Sequence, residues 1–292
     1  MSVPAAYLGV VLIWSTTPLA ILWSSQGVGF LFGVTARMSV AVVLCAALVR
    51  LLRVSFPWDA QARRAYLASG LGLFGAMMFV YWGAQFISSG LVSVVYGMMP
   101  LMTTLILVLI LRQGRLSWAR LGGIALGICG LVVIYDPRLE SSTATLLGVG
   151  AVLVSTVLHA LSMLGVQRWG HHVPPLAVTA GGLGVAVPLY LLSWALFGGA
   201  WPAQLSDKNI AAILYLASMG SVVGFVLFYY TLKKISADVV ALATLVTPVC
   251  ALLIGHFFNG EALELKIVAG AALILAGLAL HHWGELLFQW RR

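Results

Sequence analysis

The sequence predicts an all-α integral membrane protein with ten transmembrane helices, built as two inverted five-helix repeats with both termini in the cytoplasm. Three observations predict this fold: the composition, the placement of basic residues, and an internal repeat. Hydrophobic residues make up 62% of the 292 residues and charged residues only 8%, whereas soluble domains carry about 25% charged residues. Because so few charges cannot cover a surface facing water, lipid has to cover most of it.

Ten apolar segments are separated by clusters of polar residues, Gly or Pro. Each is close to the roughly 20 residues that a helix needs to cross about 30 Å of hydrocarbon. None alternates like a barrel strand, and helices satisfy their own backbone hydrogen bonds in lipid. The stretches between them are too short to fold separately, so we expect one compact domain. The predicted spans are 4–24, 29–52, 65–87, 89–111, 117–135, 145–168, 174–197, 209–232, 237–258 and 265–287.

Basic residues are distributed unequally between the two sides of these spans. Twelve of the sixteen Lys and Arg residues fall on the side that holds the N-terminus, three on the other side, and Arg37 lies within a span. By the positive-inside rule both termini face the cytoplasm. The N-terminus carries neither a basic residue nor a clear cleavage site, so the first segment is expected to remain as a span. We therefore predict a multi-pass protein of the plasma membrane, which is the inner membrane in a bacterium.

The charge and the cysteines exclude several other classes of protein. The net charge of +8 is spread over short loops, so no nucleic-acid partner is predicted. Cys45, Cys129 and Cys250 lie within apolar segments, which is neither a disulfide framework nor a metal-ligand spacing. Adjacent His pairs lack the one-face spacing of a zinc helix, and no P-loop or nucleophile elbow occurs. We predict no catalytic residues, no metal and no cofactor.

Four groups of residues recur in the same order in the two halves of the chain. A unit of five helices is odd in number, so its second copy enters the membrane from the opposite side. Such inverted repeats are characteristic of secondary transporters, which bind substrate near the midplane between the halves. The predicted repeats are residues 1–140 and 141–292. The recurring groups are Ser15-Thr16 with Ser155-Thr156, Tyr66-Leu67-Ala68-Ser69 with Tyr215-Leu216-Ala217-Ser218, Ile87-Ser88 and Pro100 with Ile235-Ser236 and Pro248, and Leu116, Gly123 and Gly130 with Leu263, Gly270 and Gly277.

Four segments occur in this order along the chain: Ile13-Trp14-Ser15-Thr16-Thr17-Pro18, Ser88-Ser89-Gly90 through Pro100, Ile235-Ser236-Ala237 through Pro248, and Gly260-Glu261-Ala262-Leu263. Together they resemble the drug/metabolite transporter superfamily, specifically its EamA-type ten-helix exporters. The resemblance covers nearly the whole chain and implies a carrier without selecting its substrate, because the superfamily moves amino acids, other metabolites and nucleotide-sugars. The first repeat departs from the pattern at Arg112-Gln113-Gly114-Arg115-Leu116, which lacks the Gly-Glu of the second repeat.

Arg37 is the charged residue placed within a predicted span. It lies about eight residues into span two, or roughly 12 Å along a helix axis, where a charge is costly and usually faces the bundle interior. We predict that it binds the carboxylate or another anionic group of a substrate. The alternative is that it reaches toward the outer interface or bonds to carbonyls of a neighbouring helix.

The eight acidic residues lie in predicted loops or near helix ends, so no carboxylate relay is predicted. Exchange, facilitated movement or coupling through another group remain open. His159 is the buried titratable alternative, and it shares one helical face with Ser155 and Ser162. That face either lines a cavity or bonds across helices as polar residues in bundles do.

Aromatic and polar side chains complete the predicted substrate site. Tyr81 and Gln85 share a face of span three, and Tyr229 is the repeat-equivalent of Tyr81. Trp14 and Tyr96 add aromatic surface, so that the cavity would be apolar with a few polar groups; packing of these rings is the alternative. The predicted substrate-binding set is Trp14, Ser15, Arg37, Tyr81, Gln85, Tyr96, Ser155, His159 and Tyr229.

Pro100 and Pro248 occupy equivalent positions within spans four and nine. Each removes a backbone hydrogen bond and favours a kink. Paired breaks in corresponding helices point to the binding region of a transporter, so both prolines are predicted as hinges; a static bend is the alternative.

These observations predict a secondary transporter of small metabolites, most simply an exporter or exchanger of amino acids or related zwitterionic or anionic metabolites that works by alternating access. An integral membrane enzyme is the alternative outside this class. A drug, lipophilic-cation or nucleotide-type carrier is the alternative within it. The predicted partners are a small-molecule substrate and the lipid bilayer, and the sequence does not choose between a monomer and a homodimer.

Overall fold

The computed structural model describes residues 2–110, 112, 117–134, 142–197, 201–234 and 237–289, and every regular element in these ranges is a helix. Seven helical stretches are long and apolar enough to cross a membrane, and three shorter apolar helices lie among the described residues. The all-α membrane class is therefore confirmed. The shorter ones are Trp118–Ile134, Val246–Asn259 and Leu265–His281.

The helices follow the apolar segments of the sequence closely. Most predicted spans end within three residues of an observed helix end, because the length of an apolar run fixes how far a helix extends in lipid. The helices are α1 (Val3–Ser25), α2 (Phe30–Leu51), α3 (Ala60–Gly83), α4 (Ser89–Tyr96), α5 (Met99–Leu105), α6 (Trp118–Ile134), α7 (Ser142–Trp169), α8 (Pro175–Phe197), α9 (Asp207–Tyr215), α10 (Gly224–Lys234), α11 (Ala237–Asn259) and α12 (Leu265–Gln289).

Two predicted spans are interrupted. Span four divides into α4 and α5 around Gly97 and Met98, and a π-helical segment, Ile106–Ile110, follows α5. Span eight contains a longer π-helix, Leu216–Val223, between α9 and α10. π-Helical turns are rare and occur frequently at functional sites.

The predicted limits of span three are wrong at both ends. The carboxylate of Asp59 accepts hydrogen bonds from the backbone N–H groups of Gln61 and Ala62, so α3 begins at Ala60. It ends at Gly83, which leaves Gln85 beyond the helix. Gln85 is exposed and donates to the carbonyl of Trp82 at 3.2 Å. The prediction that Gln85 shares a helical face with Tyr81 therefore fails.

Helices α6 and α12 pack through glycines. A Cβ atom at Gly123 would lie 2.5 Å from the carbonyl oxygen of Gly277, and one at Gly270 would lie 2.6 Å from that of Gly130. Small residues allow this close approach between membrane helices. The repeat alignment pairs Gly123 with Gly270 and Gly130 with Gly277. The second contact is therefore the repeat-equivalent of the first.

We expect Gly277→Ala to destabilise the protein by about 1–3 kcal/mol, because the added methyl group has no space between the two backbones. Gly184→Ala is the matched control, since nothing lies within 4 Å of a Cβ at Gly184 and alanine favours a helix over glycine. Thermal unfolding in detergent measures both variants. Equal midpoints for Gly277→Ala and the wild type would contradict the packing.

Candidate functional site

A cavity of about 110 Å³ lies near the middle of the bundle. This is several times the roughly 30 Å³ that a water molecule occupies in the liquid. Its walls are mostly apolar with a few polar groups, which is the usual character of a small-molecule site. The lining residues are Trp14, Thr17, Pro18, Ile21, Arg37, Met77, Val80, Val92, Ser93, Tyr96, Gly97, Met99, His159, Gly220, Phe225 and Thr247.

Arg37 carries the charge in this lining. Its side chain is only 1% exposed, its Nε donates to the hydroxyl of Ser221 at 3.0 Å, and its Nη1 lies 3.9 Å from the sulfur of Met77. The guanidinium carbon is 6.0 Å from the centre of the Tyr81 ring. The described lining residues include no acidic side chain, so among the residues that the structure places around the cavity the charge of Arg37 has no carboxylate partner.

Tyr96 and His159 line the same cavity from α4 and α7. The hydroxyl of Tyr96 lies 2.6 Å from that of Ser155, and the Ser155 hydroxyl donates to the carbonyl oxygen of Ala76 at 2.5 Å. Ser155 is buried behind Tyr96 rather than exposed to the cavity. The His159 ring packs between Tyr96 and Phe225, with ring centres 6.2 and 6.5 Å away.

The four remaining predicted site residues in helices lie in four different places. Trp14 lines the cavity and packs against Phe228, with ring centres 5.0 Å apart. Tyr81 is buried next to Arg37 and receives a hydrogen bond from Ser24. Tyr229 lines a smaller cavity of about 20 Å³ that shares His159 with the main one. Ser15 bonds to the carbonyl of Val11 within its own helix and does not line either cavity.

The two prolines lie beside the cavity without lining it. Pro100 is in the first turn of α5, directly after the break in span four, and Pro248 lies within α11. A Cβ atom at Gly97 would be 3.2 Å from the ring of Pro248. The break in one half of the chain is thus packed against the proline of the other half.

Sequence reasoning missed two polar residues next to Arg37. Thr17 lines the cavity, and Ser221 receives the Nε–H of Arg37. The motif Thr16-Thr17-Pro18 was a usable signal for Thr17. Pro18 has no N–H group to bond to the carbonyl four residues earlier, so the motif marks an interruption in the hydrogen bonding of the helix. Ser221 gave no signal, since the π-helix Leu216–Val223 changes which residues share a face.

Sequence reasoning also missed a polar cluster at the ends of α1, α4 and α11. The Glu261 carboxylate accepts hydrogen bonds from the backbone N–H groups of Ser89 and Gly90, each at 3.1 Å. The Asn259 amide donates to the same carboxylate at 3.1 Å and accepts from the Trp23 indole at 2.9 Å. A carboxylate at a helix N-terminus is favoured by the unpaired N–H groups and by the helix dipole. We call Trp23, Ser89, Gly90, Asn259 and Glu261 the end cluster.

The start of α9 extends the end cluster. The Asn209 amide donates to the carbonyl oxygens of Trp23 and Gln26 at 2.8 and 3.0 Å. The Lys208 ammonium lies 4.3 Å from the centre of the Trp23 ring. Segments that are far apart in the chain are therefore tied together at this end of the bundle.

The fold defines a multi-pass α-helical membrane protein with a mostly apolar cavity among its helices. The EamA-like transporter family matches residues 3–136 and again residues 146–282. The chain belongs to this family. It is a membrane transporter and not an enzyme, which confirms the resemblance seen in the sequence.

Similar proteins from other organisms agree with this class. An uncharacterized transporter of Archaeoglobus fulgidus is 28% identical over 276 residues, covering 92% of this chain and 94% of the relative. A probable terminal-alkyne amino-acid exporter of Streptantibioticus cattleyicolor is 26% identical and covers 92% and 90%. A probable amino-acid metabolite efflux pump of Salmonella typhimurium is 28% identical and covers 82% and 86%.

A protein of known crystal structure shares the fold. It superposes with a TM-score of 0.66 at 20% identity and covers 96% of both chains. At this identity the likeness extends to the arrangement of helices alone.

Proposed function

We propose that this transporter exports or exchanges amino acids, or related zwitterionic or anionic metabolites, by alternating access. The observation that carries the proposal is Arg37, a buried cation that lines a mostly apolar cavity and has no acidic side chain among the described lining residues. A charge buried inside a membrane protein is expensive unless it is paired. A substrate carboxylate would supply the missing partner, and the apolar walls would receive the rest of the molecule.

The charge and the relatives favour this substrate class over the alternatives. A lipophilic cation would be repelled by Arg37 in a cavity of low dielectric. Two relatives that cover most of the chain carry names of amino-acid exporters. Arg37 would hold the carboxylate, while Trp14, Tyr96 and His159 would contact the body of the substrate and Pro100 and Pro248 would allow the helices beside it to bend.

The proposal includes ten spans in two inverted repeats, residues 1–140 and 141–292. Support comes from helix packing: α2 packs against α8, α4 against α11, and α6 against α12, and each would be a helix against its own repeat-equivalent. The family also matches the chain twice, once in each half. The distribution of basic residues supports cytoplasmic termini and a plasma-membrane location, the bacterial inner membrane.

Counterflow in liposomes tests the proposed function. Vesicles containing the purified protein are preloaded with one unlabelled amino acid at a time, and entry of the same labelled amino acid is followed. We expect saturable entry that preloading stimulates, because exchange through one alternating site couples the two fluxes. Empty vesicles and vesicles without preload are the controls.

The outcome of the panel decides between classes of substrate. Stimulated entry of nucleotides or lipophilic cations, with none for any amino acid or metabolite carboxylate, would overturn the proposed substrate class. Entry that neither saturates nor responds to preloading would overturn the carrier mechanism itself.

A further inference from the structure

Two residues that line the cavity, Tyr96 and Thr17, have hydroxyl protons that are donated to other protein groups. Ser155 has a single hydroxyl proton and donates it to the carbonyl of Ala76, which can only accept. In the short contact between Tyr96 and Ser155, at 2.6 Å, the tyrosine must therefore be the donor. The oxygen of Tyr96 is left with lone pairs and no proton to offer, so toward the cavity it is an acceptor.

Thr17 is oriented in the same way. Its hydroxyl donates to the carbonyl oxygen of Ile13 at 2.7 Å, which again leaves acceptor lone pairs on the oxygen. Thr17 also lies beside the cation: a Cβ atom at Gly220 would be 3.2 Å from Nη2 of Arg37 and 3.8 Å from the Thr17 hydroxyl oxygen. Thr17, Tyr96 and Arg37 all line the one cavity.

Besides Ser93, Thr247 and His159, the lining thus includes the Arg37 cation and two hydroxyl groups, of Tyr96 and Thr17, whose protons are committed to protein acceptors. We propose that the Tyr96 and Thr17 hydroxyl oxygens form an amine subsite that receives the ammonium group of the substrate while Arg37 holds its carboxylate. This inference rests on the proposed function and narrows it from carboxylates in general to molecules with both charges, of the α-amino acid type. The apolar walls formed by Met77, Val80 and Val92 suit an aliphatic side chain.

A donor-poor subsite discriminates between groups of similar size. An ammonium group has three donors and no acceptor, so it satisfies both oxygens. A 2-oxo group has only acceptors and would face two oxygens that cannot donate to it. A hydrogen in place of the amine would leave both oxygens unpaired in an apolar cavity, which costs binding free energy.

Binding of three related probes to the purified protein in detergent tests the subsite. L-Leucine carries both charges, 4-methylpentanoate only the carboxylate, and 3-methylbutylamine only the ammonium. We expect the wild type to bind L-leucine at least tenfold more tightly than either partial analogue. Tyr96→Phe should weaken L-leucine binding roughly tenfold, as expected for one hydrogen bond to a charged group. Binding of 4-methylpentanoate should be unchanged or tighter, because this analogue then leaves one unpaired oxygen fewer in the cavity.

Two further variants keep the test decisive if Tyr96→Phe is poorly folded. Thr17→Val replaces the second acceptor and should reproduce the selective loss for L-leucine. Ser155→Ala leaves Tyr96 in place but removes the acceptor of its proton, so Tyr96 can donate into the cavity. In that variant we expect L-leucine to bind more weakly and 4-methyl-2-oxopentanoate more tightly than in the wild type.

The results separate the subsite from the proposed function. If Tyr96→Phe and Thr17→Val weaken L-leucine and 4-methylpentanoate equally, or if the wild type binds both equally, the amine subsite is wrong while the carboxylate site stands. If the wild type binds 3-methylbutylamine but not 4-methylpentanoate, the role of Arg37 and the proposed substrate class are wrong as well.

Discussion

Replacing Arg37 with methionine is expected to lower the affinity for a carboxylate substrate by about two to three and a half orders of magnitude. Removing one partner of a buried, hydrogen-bonded charge pair costs about 3–5 kcal/mol, and each 1.4 kcal/mol is about a factor of ten. The substrate carboxylate would then enter a mostly apolar cavity in which the remaining lining residues carry no cation. Calorimetric binding of L-leucine to the purified variant measures the loss.

The stability of Arg37→Met separates a binding role from a structural one. Arg37 is 1% exposed and, in the absence of substrate, makes its directional bond to the neutral hydroxyl of Ser221. Exchange of a buried charge for an apolar side chain of similar length is often neutral or stabilising. We therefore expect an unfolding temperature equal to or above that of the wild type.

Ser221→Ala is the matched control for this experiment. It keeps the charge and removes the hydrogen bond that orients it, so we expect about a tenfold loss of affinity rather than a complete one. A methionine variant that unfolds at a much lower temperature would show that Arg37 holds α2 against the π-helix. Unchanged substrate affinity in Arg37→Met would contradict its proposed role.

Helix positions followed from the sequence because lipid makes apolar length the dominant signal. The described helices α1, α2 and α8 lie within a residue of the predicted spans at each end. The predicted start of span three was wrong because the Asp59 cap, rather than hydropathy, sets where α3 begins. The division of span four around Gly97 depends on local backbone geometry, which the length of an apolar segment does not predict.

The candidate site was accessible from the sequence only in part. Arg37, Tyr96 and His159 stood out because polar and titratable groups are rare inside a membrane. Ser221 could not be recognised, because the sequence does not show that this serine lies next to Arg37. The contact of Glu261 with Ser89 joins residues 172 positions apart, and only the folded chain brings them together.

Replacing Glu261 with alanine is expected to open the end of the bundle that holds the end cluster. The carboxylate ties the loop after α11 to the first N–H groups of α4, and Asn259 links it to Trp23 at the end of α1. On the proposed topology this is the outer side of the membrane. Hydrogen bonds to charged groups contribute about 1.5–3 kcal/mol, so losing this link should raise the ratio of outward-open to closed molecules roughly 10- to 100-fold.

The two repeats have different residues at the position of Glu261, so the two sides of the membrane are not equivalent there. The repeat alignment that pairs Leu116 with Leu263 places Gly114 opposite Glu261, and Gly114 lies outside the described residues. A glycine has no carboxylate to cap the start of α11 at the opposite end of the bundle. If alternating access exchanges the conformations of the repeats, the Glu261 link stabilises the conformation closed to the outside and Gly114 supplies no equivalent carboxylate for the conformation closed to the inside. We therefore expect the resting protein to be closed to the outside.

Accessibility of the cavity from outside intact cells measures the shift. A single cysteine at Ser93, which lines the cavity, is introduced after Cys45, Cys129 and Cys250 are replaced by alanine, and its labelling by a membrane-impermeant maleimide is timed. Glu261→Ala should accelerate labelling at least tenfold. Glu264→Ala is the control, because Glu264 is an exposed carboxylate of the same loop that pairs with Lys266 at 2.8 Å and should leave the rate unchanged. Equal rates for the Glu261 variant and its parent would mean that this carboxylate caps α4 without holding the outer side closed.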